Sequence, residues 1–489
     1  MKRFKSITGL ALAFIIFFSG MTGSFAVNYG DYLDTMMKFY SEQYYKAVPE
    51  KVFLKGALKG MLNELDPYSD FYDMEEYLSL SSSMGGNFSG IGAVLEPHED
   101  GIRILDVYEN SPAEKAGVQD GDIILKIEDK ATKGMTAELA ASLIRGEEGT
   151  GVTLTIYRQG AYKVISIKRG SVIVNPVQYR IEENFAYIRI DSFNNYTAQY
   201  FEEAMDKVDE KGLKRIMLDL RGNPGGYVPQ AVAVASRLMQ PGIVSTLRFR
   251  SQNNADYQYV NYEKNPTYIL AILTDENTAS ASEILTGALE DAGIGVVIGG
   301  ETYGKGVVQS FFPVLTPEAY ERYFGSYVGD VKNKPSTLLN YALLAPDEDL
   351  LGVAKITSAF YITPKGRTID GEGLKPRYET EPKTLVNGLD LSGVNFLYGP
   401  DSDLQSYSPE VYAAEQILKA AGYLDEAPNK LFDQATFNAV KSYQGAKGLP
   451  VTGKLDEATR KSLNETLNSL RNANDPPYKE ALSLFGLLK

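Results

Sequence analysis

The sequence predicts a multidomain α/β protein. The chain has 489 residues, enough for roughly two to four domains and at least one large hydrophobic core. Residues 171–385 alternate short apolar runs of strand type with runs of helical periodicity, which is typical of helices packed on a sheet. The flanking regions differ: residues 27–87 and 408–470 have helical periodicity, and residues 88–170 are rich in short strands.

Composition limits the possible classes of function. Hydrophobic residues make up 44% of the chain and charged residues 23%, as in an ordinary globular protein. The formal net charge of −14 argues against a nucleic-acid partner, because phosphate contacts need a basic surface. The chain has no cysteine and one histidine, His98, so cysteine nucleophiles and Cys/His zinc sites are excluded.

The N-terminus has the pattern of a secretory signal. Three basic residues, Lys2, Arg3 and Lys5, precede an apolar run over residues 9–18 and a small-residue segment that ends at Ala26. We therefore expect residues 1–26 to be a signal peptide and the protein to be exported. An uncleaved membrane anchor is the alternative, and the sequence leaves the choice open.

Helices are predicted for residues 27–80, where apolar side chains recur at helical spacing. A Ser/Gly-rich joint is expected at residues 81–87. In residues 88–170, two short helices are expected near 112 and over 136–144, the first with proline at its first position. The strands predicted in this second region are 102–107, 123–127, 153–157 and 163–167.

Residues 171–385 read as the α/β core. Helices fit residues 198–211, 229–239 and 282–292. The section 317–352 is charged and turn-rich without clear periodicity, and is expected to be an insertion. The strands predicted in this core are 185–190, 215–220, 268–274, 296–298, 307–312 and 356–362.

The last part of the chain is expected to form a small helical domain. Residues 386–407 are interpreted as a linker, and residues 408–470 as a three-helix unit with helices near 410–421, 434–445 and 456–470. Residues 471–489 are expected to be a C-terminal tail.

Two segments of the core carry the chemistry. One places serines in the small-residue run 278–283 at the start of a predicted helix, and the other places Lys305 between Gly304 and Gly306. Without a suitable histidine, a nucleophilic serine needs another base, and a neutral lysine is the best candidate. The ordinary lysine pKa is about 10.4, and burial can lower a lysine pKa by up to about 3–5 units. Gly304 and Gly306 let the backbone pack closely around Lys305.

Several motifs together resemble the carboxyl-terminal processing protease family, also called the tail-specific proteases. The core carries Asp219-Leu220-Arg221-Gly222-Asn223-Pro224-Gly225-Gly226, then the serine and lysine segments, then Tyr361-Ile362-Thr363-Pro364-Lys365-Gly366. The β-rich module resembles a PDZ domain, and the C-terminal helical unit resembles a peptidoglycan-binding domain with Gly422-Tyr423, Phe432-Asp433 and Tyr443-Gln444.

The resemblance implies a ClpP/crotonase-like Ser/Lys protease core that needs no metal or cofactor. It implies a serine endopeptidase that recognises and cleaves protein C-terminal tails, with activity gated by the PDZ-like module. The implied partners are protein substrates with accessible tails, possible peptidoglycan, and a second copy of the chain in a homodimer. The implied location is extracytoplasmic, at the cell wall or membrane of a bacterium.

The resemblance also assigns candidate site residues. It selects Ser280, rather than Ser282, as the nucleophile, with Lys305 as the base and Gln309 orienting the lysine. The Ala281 N–H would form half of an oxyanion hole, and either Gly225 or Gly226 would supply the other donor.

Further positions are implied around the peptide site. Gly90, Ile91 and Gly92 would form a carboxylate-binding loop, since successive backbone N–H groups can hold a chain terminus. Asp291 matches a supporting position, with a structural aspartate at a helix end as the equal alternative. Arg145 would couple the PDZ-like module to the core, or be a solvated surface arginine. A non-catalytic scaffold that tethers protein tails to the wall is the competing function.

Overall fold

The computed structural model describes residues 28–98, 100–108, 110–158, 160–250, 255–325, 336–381, 385–391, 394–397 and 401–487. The signal peptide expected at residues 1–26 lies outside these ranges. Among the helices within them, none is both long enough and apolar enough to cross a membrane.

The chain divides into two compact units, and the first ends at Phe71. It contains α1 (Tyr29–Gln43) and α2 (Glu50–Asn63), in agreement with the predicted helical periodicity. The Asn28 side chain caps α1 by accepting from Gly30 N at 3.1 Å. Neither helix has a buried residue. A short strand, β1 (Asp70–Asp73), crosses from this unit to the next.

The first helix of the second unit is α3 (Met74–Gly85). It extends into residues 81–87, where the sequence predicts a Ser/Gly-rich joint. The difference has a local cause. Asp73 and Glu76 form a capping box that starts the helix, and Gly86 ends it with a left-handed φ of 73°. The serines therefore continue the helix as far as Gly85. The following strand β2 (Asn87–Gly90) pairs with β9 (Gly170–Ile173).

The β-rich module folds as an antiparallel sheet in the order β3-β4-β5-β7-β8, with β6 beside β5. Two helices accompany it, α4 (Pro112–Lys115) and α5 (Ala137–Ile144), and Ser111 and Thr136 cap them. Strand β3 lies at one edge of the sheet and contacts α5. The strands are β3 (Ala93–His98), β4 (Gly101–Val107), β5 (Ile123–Ile127), β6 (Lys130–Ala131), β7 (Gly151–Arg158) and β8 (Ala161–Lys168).

The α/β core is built on a six-stranded sheet in the order β10-β11-β12-β15-β16-β19. The first pair is antiparallel and the other neighbours are parallel. Three helices belong to this core: α6 (Thr197–Glu210), α7 (Val228–Leu238) and α8 (Ala281–Asp291). The strands are β10 (Val177–Ile181), β11 (Ala186–Ile190), β12 (Arg215–Asp219), β15 (Ile269–Thr274), β16 (Gly295–Gly299) and β19 (Tyr378–Glu379).

A second, antiparallel ladder flanks the core in the order β17-β18-β13-β14. These strands are β13 (Gly242–Phe249), β14 (Tyr257–Asn261), β17 (Val307–Leu315) and β18 (Leu350–Ile362). Between β17 and β18, where the sequence predicts an irregular insertion, the chain forms α9 (Pro317–Phe324) and α10 (Ser336–Ala342). The cause is a small core, in which Phe324 packs against the Tyr341 ring with centroids 4.9 Å apart.

The C-terminal domain contains three helices, α11 (Pro409–Ala420), α12 (Gln434–Lys447) and α13 (Glu457–Asn474), as the helical periodicity predicts. Its core reaches further towards the N-terminus than expected. Residues 386–407, interpreted above as a linker, contribute Leu391, Val394 and Leu397 to this core. A two-strand ribbon, β20 (Leu385–Val386) with β21 (Leu389–Asp390), precedes them.

The expected C-terminal tail is instead a helix, α14 (Pro476–Leu484), that packs on the α/β core. Ala481 and Phe485 bury against Met217 and Leu273, which alternate along the sheet with residues that face the helices α6–α8. A parallel sheet needs cover on both faces, and this segment supplies part of it on the second face. The C-terminal domain is thus inserted between β19 and α14.

We predict that Phe485→Ala lowers the free energy of unfolding of the core by about 3 kcal/mol, because Phe485 is 5% exposed and its removal leaves a cavity. Thermal unfolding followed by circular dichroism measures the change. The control is Lys479→Ala, an exposed position on the same helix. Equal unfolding curves for both variants and the parent would contradict the packing role of α14.

Candidate active site

Three loops form the candidate site, and all three leave the carboxyl ends of neighbouring parallel strands. The loop after β12 carries Gly225 and Gly226, the loop after β15 carries Ser280, and the loop after β16 carries Lys305. In open α/β sheets, this edge is where ligands bind. The fold therefore brings the serine and lysine segments together.

Ser280 stands immediately before α8 with φ 57° and ψ −115°, a backbone conformation that residues other than glycine rarely adopt. The surrounding hydrogen bonds hold it there. Its N–H donates to Glu283 Oε2 at 2.8 Å, and its carbonyl accepts from Ile284 N at 3.0 Å and from the Tyr361 hydroxyl at 3.1 Å. The positive end of the α8 dipole lies at the same place, where it favours negative charge.

The loop after β12 lies directly against Ser280. A Cβ atom added at Gly225 would lie 2.9 Å from Ser280 Cβ and 2.8 Å from the Ala279 carbonyl oxygen, so only glycine fits there. At Gly226, an added Cβ would lie 2.3 Å from the Phe193 carbonyl oxygen. Both glycines have positive φ, 101° and 140°.

The two glycines differ in whether their N–H groups are occupied. Gly225 N donates to Asn223 Oδ1 at 2.9 Å. In the described part of the chain, the N–H groups of Gly226 and Ala281 donate to no protein group. The pair that remains open beside Ser280 is therefore Gly226 with Ala281, a choice that the sequence leaves undecided.

The second serine of the run has a structural position. Ser282 is fully buried, and its hydroxyl donates to the Asn223 carbonyl at 3.1 Å. The Ala279 N–H donates to the same carbonyl at 3.0 Å. Ser282 thus ties α8 to the glycine loop.

Glu283 connects the serine segment to the lysine segment. Its side chain is fully buried. One oxygen accepts from Ser280 N at 2.8 Å and Lys305 N at 2.9 Å, and the other accepts from Thr302 Oγ1 at 2.6 Å and Gly304 N at 2.7 Å. The oxygens of a carboxylate only accept hydrogen bonds, and the four groups that surround Glu283 are all donors.

Close backbone contacts fix the turn around Lys305. A Cβ atom added at Gly304 would lie 2.9 Å from Gly373 N, and one added at Gly306 would lie 2.3 Å from Asp370 N. These contacts agree with the prediction that Gly304 and Gly306 let the backbone pack closely around Lys305. The Gly306 N–H donates to the Asp370 carboxylate at 3.2 Å.

Tyr361 links the two segments from the side of β18. Its hydroxyl lies 2.6 Å from the Lys305 carbonyl oxygen and 3.1 Å from that of Ser280. Burial, helped by the neighbouring Glu283 carboxylate, raises the pKa of this hydroxyl well above its ordinary value. Tyr361 is therefore a neutral hydrogen-bond donor at neutral pH.

The segments of the expected dyad meet at Glu283, which accepts from the N–H groups of both Ser280 and Lys305. Gln309 lies on β17 and donates to Thr357 Oγ1 at 3.1 Å, its neighbour across the strand pair. The structure therefore brings the two segments together through their backbones and through Glu283.

Asp291 lies at the other end of α8 from Ser280, about 16 Å along the helix axis from the 1.5 Å rise per residue. Its carboxylate accepts from Lys365 N at 2.8 Å and from the Arg367 guanidinium at 2.5 Å. It therefore holds the turn after β18, which corresponds to the structural alternative considered for this residue.

The loop proposed to bind a carboxylate has open amides. Gly90 ends β2, and in the described chain the N–H groups of Ile91 and Gly92 donate to no protein group. Gly92 has φ 81°, and a Cβ atom there would lie 2.4 Å from Ser111 Cβ. The loop leads directly into the edge strand β3, where an extended peptide could pair next to α5.

Arg145 follows α5 and lies over the Phe88 ring, with its guanidinium carbon 5.6 Å from the ring centroid. The two residues line a cavity of about 490 Å³ together with serines of α3. Arg145 thus occupies the junction between the PDZ-like module and α3.

A cluster of charged side chains lies at the start of the glycine loop. Asp219 and Arg221 belong to the motif quoted from the sequence, which does not predict that they form ion pairs. Asp219 is fully buried, and the Arg221 guanidinium binds both of its oxygens at 2.9 and 2.6 Å. Burial alone would raise the pKa of Asp219, but Arg221, with help from Arg189, outweighs burial and lowers it.

Glu283 is the main site residue that the sequence analysis missed. A usable signal was present, because a serine followed three residues later by glutamate at a helix start is the pattern of a capping box. Tyr361 had only the family motif as a signal, since its contacts join residues distant in the chain.

Comparisons with known proteins identify three parts of the chain. Residues 184–380 match Peptidase family S41, residues 89–168 match the PDZ domain, and residues 407–463 match the putative peptidoglycan binding domain. The chain is 32% identical over 456 residues to a probable CtpA-like serine protease of Staphylococcus aureus (strain MSSA476), covering 92% of this chain and 84% of that protein. It is 30% identical over 484 residues to the carboxy-terminal processing protease CtpA of Bacillus subtilis (strain 168), covering 97% and 95%. The predicted resemblance and fold class are confirmed.

We predict that Glu283→Gln lowers the free energy of unfolding by about 2 kcal/mol, because an amide NH₂ group would face buried donors. Peptidase activity should fall at least about 10-fold, since small displacements of reacting groups are costly. Chemical denaturation and peptide cleavage measure the two effects. The exposed Glu301→Gln is the matched control, and parent-like behaviour of Glu283→Gln would contradict the linking role of Glu283.

Proposed function

The chain belongs to peptidase family S41, the carboxyl-terminal processing proteases, and we propose that it is an exported endopeptidase that uses a Ser280/Lys305 dyad. A serine-type peptidase that acts on C-terminal tails is the family activity. One observation supports the residue assignment: the Glu283 carboxylate accepts hydrogen bonds from the backbone N–H groups of both Ser280 and Lys305.

In this proposal, Ser280 attacks the scissile carbonyl and forms an acyl-enzyme that water then hydrolyses. Negative charge develops on the carbonyl oxygen during both steps. The open N–H groups of Gly226 and Ala281 are suited to stabilise that charge by donating hydrogen bonds to the oxygen. Gly225 contributes by its close approach rather than by donating, because its N–H is occupied.

Lys305 takes the serine proton and returns it to the leaving amine. It is a partly buried lysine in a tight glycine turn whose backbone is fixed on both sides. Serine is a weak nucleophile until a base acts on it, and the backbone of Lys305 shares the Glu283 carboxylate with that of Ser280. Gln309 is proposed to orient the lysine in the substrate-engaged state.

The PDZ-like module is proposed to bind the substrate tail. The free carboxylate would accept from Ile91 and Gly92, and the extended tail would pair with β3 beside α5. Recognition of a chain terminus accounts for tail specificity without a deep side-chain pocket.

Gating by the same module is part of the proposal. Tail binding to the module would then switch the Ser280/Lys305 pair into its active arrangement. Arg145 lies where the module meets α3 and so could report tail binding to the core.

The protein associates with the cell envelope, as its peptidoglycan-binding-type domain indicates. We propose that the N-terminal segment directs export, that this domain binds peptidoglycan, and that protomers form a homodimer. The unburied helices α1 and α2 offer apolar side chains for the dimer, including Tyr32 and Tyr40, which are each 56% exposed. The alternative of a non-catalytic scaffold does not agree with the peptidase family.

We predict that Ser280→Ala and Lys305→Ala each reduce cleavage of an unstructured protein such as casein at least about 1,000-fold, because nucleophile and base act as a unit. Initial rates followed by gel electrophoresis measure this. Lys365→Ala is the matched control, since Lys365 is an exposed lysine that also stands beside a glycine. Full activity of Ser280→Ala would disprove the nucleophile assignment, and full activity of Lys305→Ala would disprove that of the base.

A second prediction tests tail recognition. A fluorescent peptide with an apolar C-terminus and a free carboxylate should bind the inactive Ser280→Ala protein at least about 10-fold more tightly than the same peptide with a C-terminal amide. The reason is that only the carboxylate gives charge-assisted hydrogen bonds to the open N–H groups. Fluorescence anisotropy measures both affinities, and equal values would exclude the Ile91–Gly92 loop as a carboxylate site.

A further inference from the structure

We propose that Asp475 is a positioning residue for the oxyanion loop, acting through Arg221; this inference rests on the proposed function. Asp475 stands between α13 and α14, at the point where the chain leaves the C-terminal domain and returns to the α/β core. Its carboxylate binds Arg221 Nη1 at 2.9 and 2.8 Å. The two residues are 254 positions apart in the chain.

Arg221 is the second residue of the loop that carries Gly226. Its guanidinium is shared between two carboxylates, with Nε and Nη2 on Asp219 and Nη1 on Asp475. Its carbonyl accepts from the Arg189 guanidinium at 3.1 Å. The side chain and the backbone of Arg221 are therefore both held at the start of the loop.

The charges around Arg221 explain why a second carboxylate is needed. Asp219 faces two guanidiniums, those of Arg221 and Arg189. Each arginine has one further acid, Asp191 for Arg189 and Asp475 for Arg221. Arg221 and Asp475 are mostly shielded from water, with side chains 23% and 14% exposed, so their contact is weakly screened. Removing the Asp475 charge would let Arg221 rotate on Asp219.

Rigid elements on both sides make Asp475 a fixed point. The Tyr478 ring packs on Phe185 and Tyr187, and Phe485 packs on Phe185, so α14 is docked along the sheet. The Asp475 side chain also caps α14 by accepting from Tyr478 N at 3.3 Å. The sheet thereby fixes Asp475, Asp475 fixes Arg221, and Arg221 fixes the loop.

The effect should be on the chemical step. An oxyanion donor contributes about 100- to 1,000-fold to kcat, and a loosened donor loses part of this. We expect Asp475→Asn to lower kcat about 10-fold with KM and Tm nearly unchanged. Asparagine caps a helix as well as aspartate does, so this variant separates the charge contact from the cap.

The test uses the full-length protein and a peptide substrate. Asp456→Asn is the matched control, because Asp456 caps the preceding helix α13 through Thr459 N and does not contact the α/β core. A peptide aldehyde, whose adduct places an oxygen in the oxyanion hole, should bind Asp475→Asn about 10-fold more weakly, and Asp456→Asn like the parent. Loss of kcat without weaker aldehyde binding would overturn the proposal.

A double-mutant cycle keeps the test decisive if stability changes. Arg221→Lys preserves a charge for Asp219 but cannot bind two carboxylates in a planar fork. The double variant Asp475→Asn/Arg221→Lys should be no slower than Arg221→Lys alone, because both changes break one contact. Additive losses, or a parent-like kcat for Asp475→Asn, would overturn the inference. Cleavage that survives Ser280→Ala would instead disprove the proposed function itself.

Discussion

The candidate site depends on one buried carboxylate. Glu283 accepts hydrogen bonds from the backbone of Ser280 and from the backbone of Gly304 and Lys305, which belong to separate loops. Because Glu283 is fully buried, its carboxylate would be costly to leave unpaired, so the loops are stable only when they converge on this side chain. The spacing of the serine and lysine segments is therefore determined by Glu283.

The same constraint explains why the backbone at the site is unusual. Ser280 has a strained φ of 57°, and strain of this kind persists only where the surroundings determine it fully. Gly225, Gly304 and Gly306 stand where an added Cβ would collide with neighbouring backbone or with the Ser280 side chain. Three loops from adjacent parallel strands can meet this closely only because glycine removes the side chains from their contacts.

Much of this could be predicted from sequence, and the parts that could not share a cause. Strand β5 and helix α5 fall where periodicity and capping residues place them, because their signals are local. The serine, the lysine and the glycine loop were found from motifs. The Gln309–Thr357 contact and the packing of α14 depend on groups distant in the chain. Residues 386–407 looked like a linker, although Leu391, Val394 and Leu397 are buried in the core of the C-terminal domain, against helices that lie further along the chain.

The position of α14 connects the domain order to the active site. The six-stranded sheet has apolar side chains on both faces, and α6–α8 cover only one of them. Burying the second face requires a further element, and the chain supplies it after the C-terminal domain rather than before it. That domain is consequently held to the α/β core at both of its ends, instead of hanging from a single linker. Because Asp475 caps the start of α14, the cover for the sheet begins next to the contact with Arg221. The packing that closes the hydrophobic core and the charges that surround the glycine loop thus meet at Asp475.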